Sequence, residues 1–326
     1  MGTTTGISWT DATWNPVRGC TRVSAGCQNC YAEVVAARFS GPGQPYEGLA
    51  RRVNGHARWT NKVIAVEKHL HDPLRWKTPR RVFVNSMSDL FHPDVEIATL
   101  IEVFAVMALA ESHTFQILTK RPERMARLVG EAIFQFEVWS RARQLGLGPE
   151  CRVWPLHNVW LGTSVEDQAA ADQRIPHLLR STAAVRFLSC EPLLSPVHLE
   201  IGCDRSLLCG WEDVGGPGVY NTLTGEWWPA VGNSEQEYAG RITDLPCIDW
   251  VIVGGESGAG ARSMDNTWAR SLARQCQDAE IAFFGKQAGT ELAREHGLKG
   301  KGEGPLDETA PVALSWLNVQ QYPVGM

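Results

Sequence analysis

Long apolar runs are missing from this 326-residue sequence. No stretch approaches the roughly 20 apolar residues that a membrane-spanning helix needs, and no N-terminal segment resembles a secretory signal. The charge is not strongly one-sided either, since the formal net charge is -5. We therefore expect a soluble cytoplasmic protein with no membrane partner, whose chain as a whole is not a basic polyelectrolyte that binds nucleic acid.

The cysteines do not follow the patterns of disulfide-rich or zinc-ribbon proteins. Nine cysteines, an odd number in a chain of this length, do not make a secreted disulfide framework. The CxxC spacing occurs once, at Cys27 and Cys30, whereas a zinc ribbon needs it twice. With Cys20, these residues place three thiols in the segment VRGCTRVSAGCQNCYAE, residues 17–33. Structural zinc sites use four protein ligands, so three thiols favour a metal site with one open position.

Basic residues are concentrated near these cysteines. Residues 1–90 carry twelve Lys and Arg against six Asp and Glu, a net charge of +6 that leaves -11 for the rest of the chain. A basic surface beside the thiols would suit an anionic substrate or cofactor. An ordinary solvated surface is the alternative interpretation.

Six apolar runs, each ending in polar residues, indicate the fold class. They occupy residues 80–89, 114–123, 158–167, 185–194, 249–258 and 281–289. Their β-branched and aromatic cores are typical of parallel strands buried on both faces, and helical patterns lie between them. With a further strand expected within residues 6–16, the alternation predicts an α/β fold. We expect a (βα) barrel, complete or partial, and consider a doubly wound open sheet as the alternative.

Irregular segments interrupt this pattern. We expect residues 1–290 to form the barrel, with insertions near 39–60, 131–157 and 200–247, and residues 291–326 to form a polar C-terminal tail. Cys203, Cys209 and Cys247 could form a second, small zinc site, although none of them belongs to a CxxC pair.

Three cysteines in a loop after the first strand of an α/β barrel resemble the radical S-adenosylmethionine (radical SAM) superfamily. In that superfamily a [4Fe–4S] cluster on three thiolates keeps one iron open. The spacing here is CxxxxxxCxxC instead of the usual CxxxCxxC, and Asn29 stands where an aromatic residue is usual.

A closer resemblance covers most of the chain. The blocks WTDATWNPVRGCTRVSAGCQNCYAE, VFVNSMSDLFHPD, QILTKRPERM, NVWLGTSVEDQ, RFLSCEPLL, DWVIVGGESGAGARSMD and FFGKQAG resemble, in this order, the phage Gp37/Gp68 family, also called DUF5131 or three-Cys-motif proteins. The two resemblances imply a radical SAM-type enzyme, with Cys20, Cys27 and Cys30 on a [4Fe–4S] cluster and SAM on its open iron. They also imply an electron donor such as flavodoxin or ferredoxin, and a substrate that could be a nucleotide or nucleic acid.

Polar residues at the strand ends are the candidates for holding SAM. Asn85, Ser86, Ser88 and Asp89 could bind its amino group, Thr119, Lys120 and Arg121 its carboxylate, and Ser164 and Glu166 its ribose. Gly254, Gly255 and Glu256 form a GGE triplet, which binds the SAM amino group in many superfamily members but there follows the second strand. Helix caps and surface salt bridges are the alternative explanation for each of these residues.

Three further strand-end residues are candidates for catalysis. Cys190 could donate a hydrogen atom to a substrate radical, or could be a small buried core residue. Glu191 follows it directly. Lys286 ends an apolar strand and must reach an anion or solvent, because burying an unpaired ammonium is costly.

A different class of function also fits the sequence. A zinc-stabilised, non-catalytic nucleic-acid-binding or phage accessory protein could use the basic N-terminal part, with tryptophans such as Trp59 and Trp76 stacking on bases.

Overall fold

The computed structural model describes residues 5–146, 153–204, 217–229, 243, 245–306 and 312–323. The chain forms two compact units. Unit 1 comprises residues 1–162 and 182–184, and unit 2 comprises residues 163–181 and 185–326. No helix among the described residues combines the length and the apolar character that crossing a bilayer requires.

The elements of the described residues follow the predicted alternation. The strands are β1 (Ala12–Trp14), β2 (Val17–Arg18), β3 (Ala50–Val53), β4 (His56–Trp59), β5 (Ile64–Ala65), β6 (Arg81–Val84), β7 (Thr114–Thr119), β8 (Val159–Ser164), β9 (Val185–Cys190), β10 (Glu200–Asp204), β11 (Pro217–Asn221), β12 (Glu226–Pro229), β13 (Trp250–Gly254) and β14 (Ala282–Gln287). The helices are α1 (Tyr31–Arg38), α2 (Glu67–Leu70), α3 (Ile97–Leu109), α4 (Pro122–Gly130), α5 (Ala132–Gln144), α6 (Gln168–Arg180), α7 (Asn266–Asp278) and α8 (Thr290–Glu295). Short 3-10 turns span Ala25–Cys27, Asp72–Arg75 and Val312–Asn318.

Seven strands make one sheet in the order β1-β6-β7-β8-β9-β13-β14, which is also their order along the chain. Neighbours such as β1 and β6, β6 and β7, and β13 and β14 run parallel. All seven predicted strands are present, so the α/β prediction is confirmed. A doubly wound sheet reverses its strand order at a switch point, and this sheet does not, so that alternative is wrong. The radical-SAM-like barrel stays a prediction.

Each unit buries its own aromatic core. In unit 1 the Trp14 and Phe115 rings lie 5.8 Å apart on β1 and β7, and the apolar residues of α3 are buried with them. In unit 2 the Trp250 ring of β13 lies 5.7 Å from Phe187 of β9 and 6.1 Å from Phe284 of β14. The continuous apolar runs of the sequence are therefore the strands of these cores.

All three expected insertions contain regular structure. Residues 39–60 are not irregular throughout, because β3 and β4 pair as an antiparallel hairpin. Its turn is Asn54-Gly55, both with positive φ, which is the strongest short hairpin signal in sequence. Residues 131–157 are not merely a longer connection, since α5 occupies thirteen of them. Within 200–247, β10, β11 and β12 form a small antiparallel sheet.

The segment beyond residue 290 packs onto β14. Trp316 and its neighbours Leu314 and Leu317 are buried, and the Gly285 amide donates to the Val319 carbonyl at 2.8 Å. These residues belong to the core of unit 2, whereas the sequence predicts a polar C-terminal tail.

Candidate functional site

The cysteine loop, residues 19–30, leaves β2 and ends at α1, entirely within unit 1. Its first residue, Gly19, has a φ of 88°. A Cβ there would lie 2.0 Å from the carbonyl oxygen of Lys62, so both the backbone conformation and the close approach require glycine. Cys27 ends a 3-10 turn, and Cys30 is the N-cap residue of α1.

Polar residues after β6 hold the chain on either side of β2 in place. The Asn85 side-chain oxygen accepts from the Val17 amide at 3.3 Å, and the Ser88 hydroxyl donates to the Val17 carbonyl at 2.9 Å. The Ser86 hydroxyl contacts the Asn15 side-chain oxygen at 3.2 Å. The structure therefore brings Asn85, Ser86 and Ser88 to Asn15 and β2, directly before the cysteine loop, where their side-chain oxygens bond to the protein itself.

Asp89 is a buried hub between β6 and β7. One carboxylate oxygen accepts from the Phe91 amide at 3.0 Å and the Thr119 hydroxyl at 2.7 Å. The other accepts from the Lys120 amide at 3.1 Å and an Arg121 guanidinium nitrogen at 2.7 Å. With four donors around it, this carboxylate fixes the end of β7 and the Arg121 side chain.

Arg121 connects this hub to the cysteine loop. Its Nη2 donates to the Thr21 hydroxyl at 2.8 Å and to the Thr21 carbonyl at 3.2 Å, and its positive charge acts on the adjacent Cys20 thiol. The Asp94 amide donates to Nδ1 of His92, so His92 Nε2 carries the proton and donates to the Thr21 hydroxyl at 2.8 Å. Predicted residues from two strand ends therefore converge on the first cysteine.

Glu33, which sequence reasoning missed, holds the far side of the loop. This carboxylate is buried, pairs with Arg22 and accepts the Trp59 amide of β4 at 2.8 Å. Arg22 also donates to the Gln28 carbonyl at 2.9 Å, across the 3-10 turn. One sequence feature could have indicated Glu33: it is the one acidic residue between Asp11 and Glu47, in a basic part of the chain.

The three thiols lie in a partly buried, electrostatically coupled environment. Burial raises the pKa of Cys20 to about 12, with Asp89 adding to the rise and Arg121 opposing it. Burial likewise raises the pKa of Cys30. Cys27 contributes to both increases, which places the three sulfurs within electrostatic range of one another. Within the described ranges, no three His, Cys, Asp or Glu side chains are already arranged as ligands of one metal ion.

The suggested second zinc site lies partly outside the described residues. Cys209 and the side chain of Cys203 lie outside the described residues, and Cys247 is half-buried.

Unit 2 holds the remaining candidates, beginning with an ion pair at the ends of β9 and β14. The Lys286 ammonium donates to both Glu191 carboxylate oxygens, at 2.8 and 2.7 Å. A Cβ on Gly254, at the end of β13 between them, would lie 3.4 Å from the Glu191 carboxyl carbon. Lys286 thus has the anionic partner that its position requires.

The other unit 2 candidates lie deeper or already have partners. Cys190 is fully buried, and burial raises the pKa of its thiol, with Cys276 adding to the rise, so its surroundings are those of a core residue. Glu166 is buried and accepts from both terminal nitrogens of Arg174, at 2.7 and 3.2 Å. The Ser164 carbonyl accepts from the same guanidinium at 2.9 Å.

The GGE triplet comprises the last residue of β13 and the two residues that follow it, in unit 2. A Cβ on Gly255 would lie 2.2 Å from the Ala288 carbonyl oxygen, so the second glycine is required by close packing. Glu256 is buried and accepts from the Arg262 amide at 2.8 Å and from its guanidinium at 3.0 and 2.5 Å. Its carboxylate therefore closes its own loop.

Comparison with known proteins gives one match. A family model described as "Protein of unknown function (DUF5131)" matches residues 4–310, a range that includes the cysteine loop and every strand-end candidate. No curated protein and no solved structure matches the chain.

Proposed function

The chain belongs to the DUF5131 family, whose function is unknown, and we propose that it is a radical SAM-type enzyme with its cluster on Cys20, Cys27 and Cys30. One observation carries this proposal. A single loop of unit 1 gathers three thiols, and Asp89 holds Arg121, whose guanidinium binds Thr21 directly after the first of them. When bound, a [4Fe–4S] cluster supplies the electron that cleaves SAM to a 5′-deoxyadenosyl radical.

The residues of the loop fit such a group. Cysteine thiolates are the usual ligands of iron–sulfur clusters, and hydrogen bonds to the sulfurs tune them. The positive charges of Arg121 and Lys120 act on Cys20 and Cys30. The hydrogen bond to Glu33 raises the pKa of Arg22, and the neighbouring thiols add to the rise. Arg121 and Arg22 are paired with Asp89 and Glu33, so of these three cations it is Lys120 whose charge offsets the negative charge of ligating thiolates.

Lys120 is the best placed residue to bind the SAM carboxylate. Among the three residues predicted for this role, Thr119 bonds to Asp89, and Arg121 bonds to Asp89 and Thr21. The structure describes no hydrogen bond or ion pair for the Lys120 ammonium, and the side chain is half-exposed. Asp89 acts as a positioning residue, because it holds the Lys120 amide and the Arg121 guanidinium.

The finer assignments in unit 2 remain proposals. Ser164 and Glu166 are offered for the ribose, the GGE triplet for the amino group, and Cys190, Glu191 and Lys286 for chemistry on the substrate. Of these carboxylates, Glu191 is the one suited to hold and pass a proton, because its Lys286 partner can deprotonate whereas the Arg partners of Glu166 and Glu256 cannot. The substrate class, a nucleotide or nucleic acid, rests on the basic N-terminal part.

Anaerobic purification tests the cluster and the reaction together. We expect a brown protein containing iron and sulfide, bleached by dithionite, that produces 5′-deoxyadenosine from SAM under reduction. Cys20→Ala, Cys27→Ala and Cys30→Ala should each lose both the bound iron and this product. Cys247→Ala, a half-buried cysteine of unit 2, is the matched control and should keep both.

Two results would contradict the proposal. A colourless protein with stoichiometric zinc would favour the zinc-stabilised binding protein. An iron–sulfur protein that makes no 5′-deoxyadenosine in the presence of reductant and SAM would exclude the radical SAM reaction while leaving the cluster in place.

A further inference from the structure

Helix α1, which starts directly after Cys30, exposes its large apolar residues, unlike an ordinary surface helix. Its buried residues are Ala32, Ala36 and the paired carboxylate of Glu33. Its large apolar residues are exposed instead. A surface helix normally turns this stripe toward the core.

The exposed apolar residues form one face of the helix. Tyr31, Val34, Val35 and the following Phe39 are between 38% and 55% exposed. At 3.6 residues per turn, spacings of three, four and eight residues put them on the same side. The Tyr31 hydroxyl donates to the Ser86 carbonyl at 2.5 Å, which fixes that ring beside the cysteine loop. We call these four residues the α1 face.

Basic residues lie on the exposed side of α1 and on the neighbouring hairpin. Arg38 of α1 is exposed on the same side as the α1 face. The buried side of the helix packs against the β3–β4 hairpin, which carries exposed Arg51 and Arg52. Residues 48–66 include three Arg and one Lys and no Asp or Glu. An exposed apolar face in a basic part of the chain favours an acidic protein partner.

We propose that the α1 face docks an acidic electron-transfer protein that reduces the cluster. This inference rests on the proposed function, since it names the partner of the same site. The helix begins at a cluster ligand, so a protein seated on it approaches the thiols closely. Exposed apolar patches on soluble proteins mark interaction sites, and fixed aromatic residues such as Tyr31 lose little entropy on binding.

Two other occupants are less compatible with these residues. A second copy of the chain in a two-fold interface would bring this surface, with Arg38 on it, against itself, and the like charges disfavour that association. A nucleic acid would need cations at the centre of its contact surface to neutralise phosphates, and here the centre is apolar.

Direct binding to reduced flavodoxin, used as the probe, is the test. Calorimetry at low salt should show binding that weakens as salt is added. Val34→Asp puts a charge in the centre of the α1 face and should weaken binding about tenfold or more. Ile133→Asp replaces an equally exposed apolar residue of α5, also in unit 1, and is the matched control with unchanged affinity. Arg51→Glu with Arg52→Glu should weaken binding mainly through slower association.

Reduction of the cluster provides a second measurement. With flavodoxin as donor, Val34→Asp should slow 5′-deoxyadenosine production about tenfold or more. With dithionite, which needs no docking surface, the variant should match wild type. The docking proposal fails if Val34→Asp binds and turns over with flavodoxin as wild type does. It also fails if the variant abolishes a wild-type dimer or oligonucleotide binding instead of flavodoxin binding. If the wild-type protein makes no 5′-deoxyadenosine with dithionite, the proposed function itself is refuted.

Discussion

Asp89 shows how residue type can indicate a site while leaving the role open. The sequence predicts that Asp89 could bind the amino group of SAM, because it follows a strand and carries a hydrogen-bond acceptor. In the structure its carboxylate receives four protein donors, including the buried Arg121 guanidinium. It therefore organises the groups around the cysteine loop and has no lone pair directed to a ligand.

Replacing Asp89 by Asn should destabilise unit 1. The change leaves the largely buried Arg121 cation without its charge partner. It also places a side-chain amide NH2 next to hydrogen-bond donors that the carboxylate accepted. Losing one member of a buried ion pair costs about 3–5 kcal/mol in the free energy of unfolding. Urea denaturation measures this loss. Glu131→Gln breaks the exposed pair with Arg127 and should cost less than about 1 kcal/mol. Equal effects for the two variants would refute the hub role of Asp89.

Residue contacts around the loop could be predicted only in part. The three thiols are close in sequence, so their proximity follows from spacing alone. Thr21 and Arg121, by contrast, are separated by 100 positions, and Glu33 and Trp59 by 26. Such pairs depend on the register of β6, β7 and the hairpin, and periodicity does not specify register.

At the scale of elements, β2 and its partner β5 set the path of the loop. Val17 pairs with Ala65 and Arg18 with Ile64, and Gly19 then passes against Lys62. This approach exists because glycine has no Cβ. The direction in which the chain leaves β2 toward Cys20 thus depends on glycine at position 19.

Two glycine variants separate backbone strain from steric contact. Gly19 and Gly55 both have positive φ, 88° and 80°, but a Cβ on Gly55 meets nothing within 4 Å. Gly55→Ala should cost about 1–2 kcal/mol through the left-handed backbone alone. Gly19→Ala adds a clash with the Lys62 carbonyl and should cost clearly more, with reduced iron content as a second readout. Similar costs, with iron retained, would show that the loop tolerates a side chain at position 19.

Elements were predictable where their patterns were simple. The sheet strands were found because each is a continuous apolar run buried on both faces. Helix α5 was missed because Ile133 and Phe136 are exposed and blur its 3.6-residue periodicity. The β3–β4 hairpin was missed although Asn54-Gly55 marks its turn, because short strands with exposed arginines lack the expected apolar alternation.

At the scale of the whole molecule, the chain divides into two units, each of which contains some of the predicted site residues. Unit 1 contains the cysteine loop and its hub, and unit 2 contains the Glu191–Lys286 and Glu256–Arg262 pairs. Strand order follows chain order, which the repeated strand–helix pattern predicted. The division could not be predicted, because it falls inside β8 and has no linker composition to mark it.

The C-terminal segment should be essential to unit 2. Trp316 is buried against β14 and α7, and its indole nitrogen donates to the Asn266 side-chain oxygen at 2.7 Å. Trp316→Ala should lower the free energy of unfolding by about 3–5 kcal/mol, measured by urea denaturation. Val312→Ala, at a residue 87% exposed in the same turn, should change it little. If Trp316→Ala is as mild as Val312→Ala, the segment is a dispensable tail.

The bond from the Trp59 amide to Glu33 implies an order of assembly. During synthesis residues 17–33 emerge before residues 50–59, so the loop is exposed first with its Glu33 anchor incomplete. The thiols reach their final positions only after the hairpin has folded back onto α1. If the proposed cluster binds these thiols, its insertion should therefore be a late event in maturation, timed by a hairpin that contains none of the three cysteines.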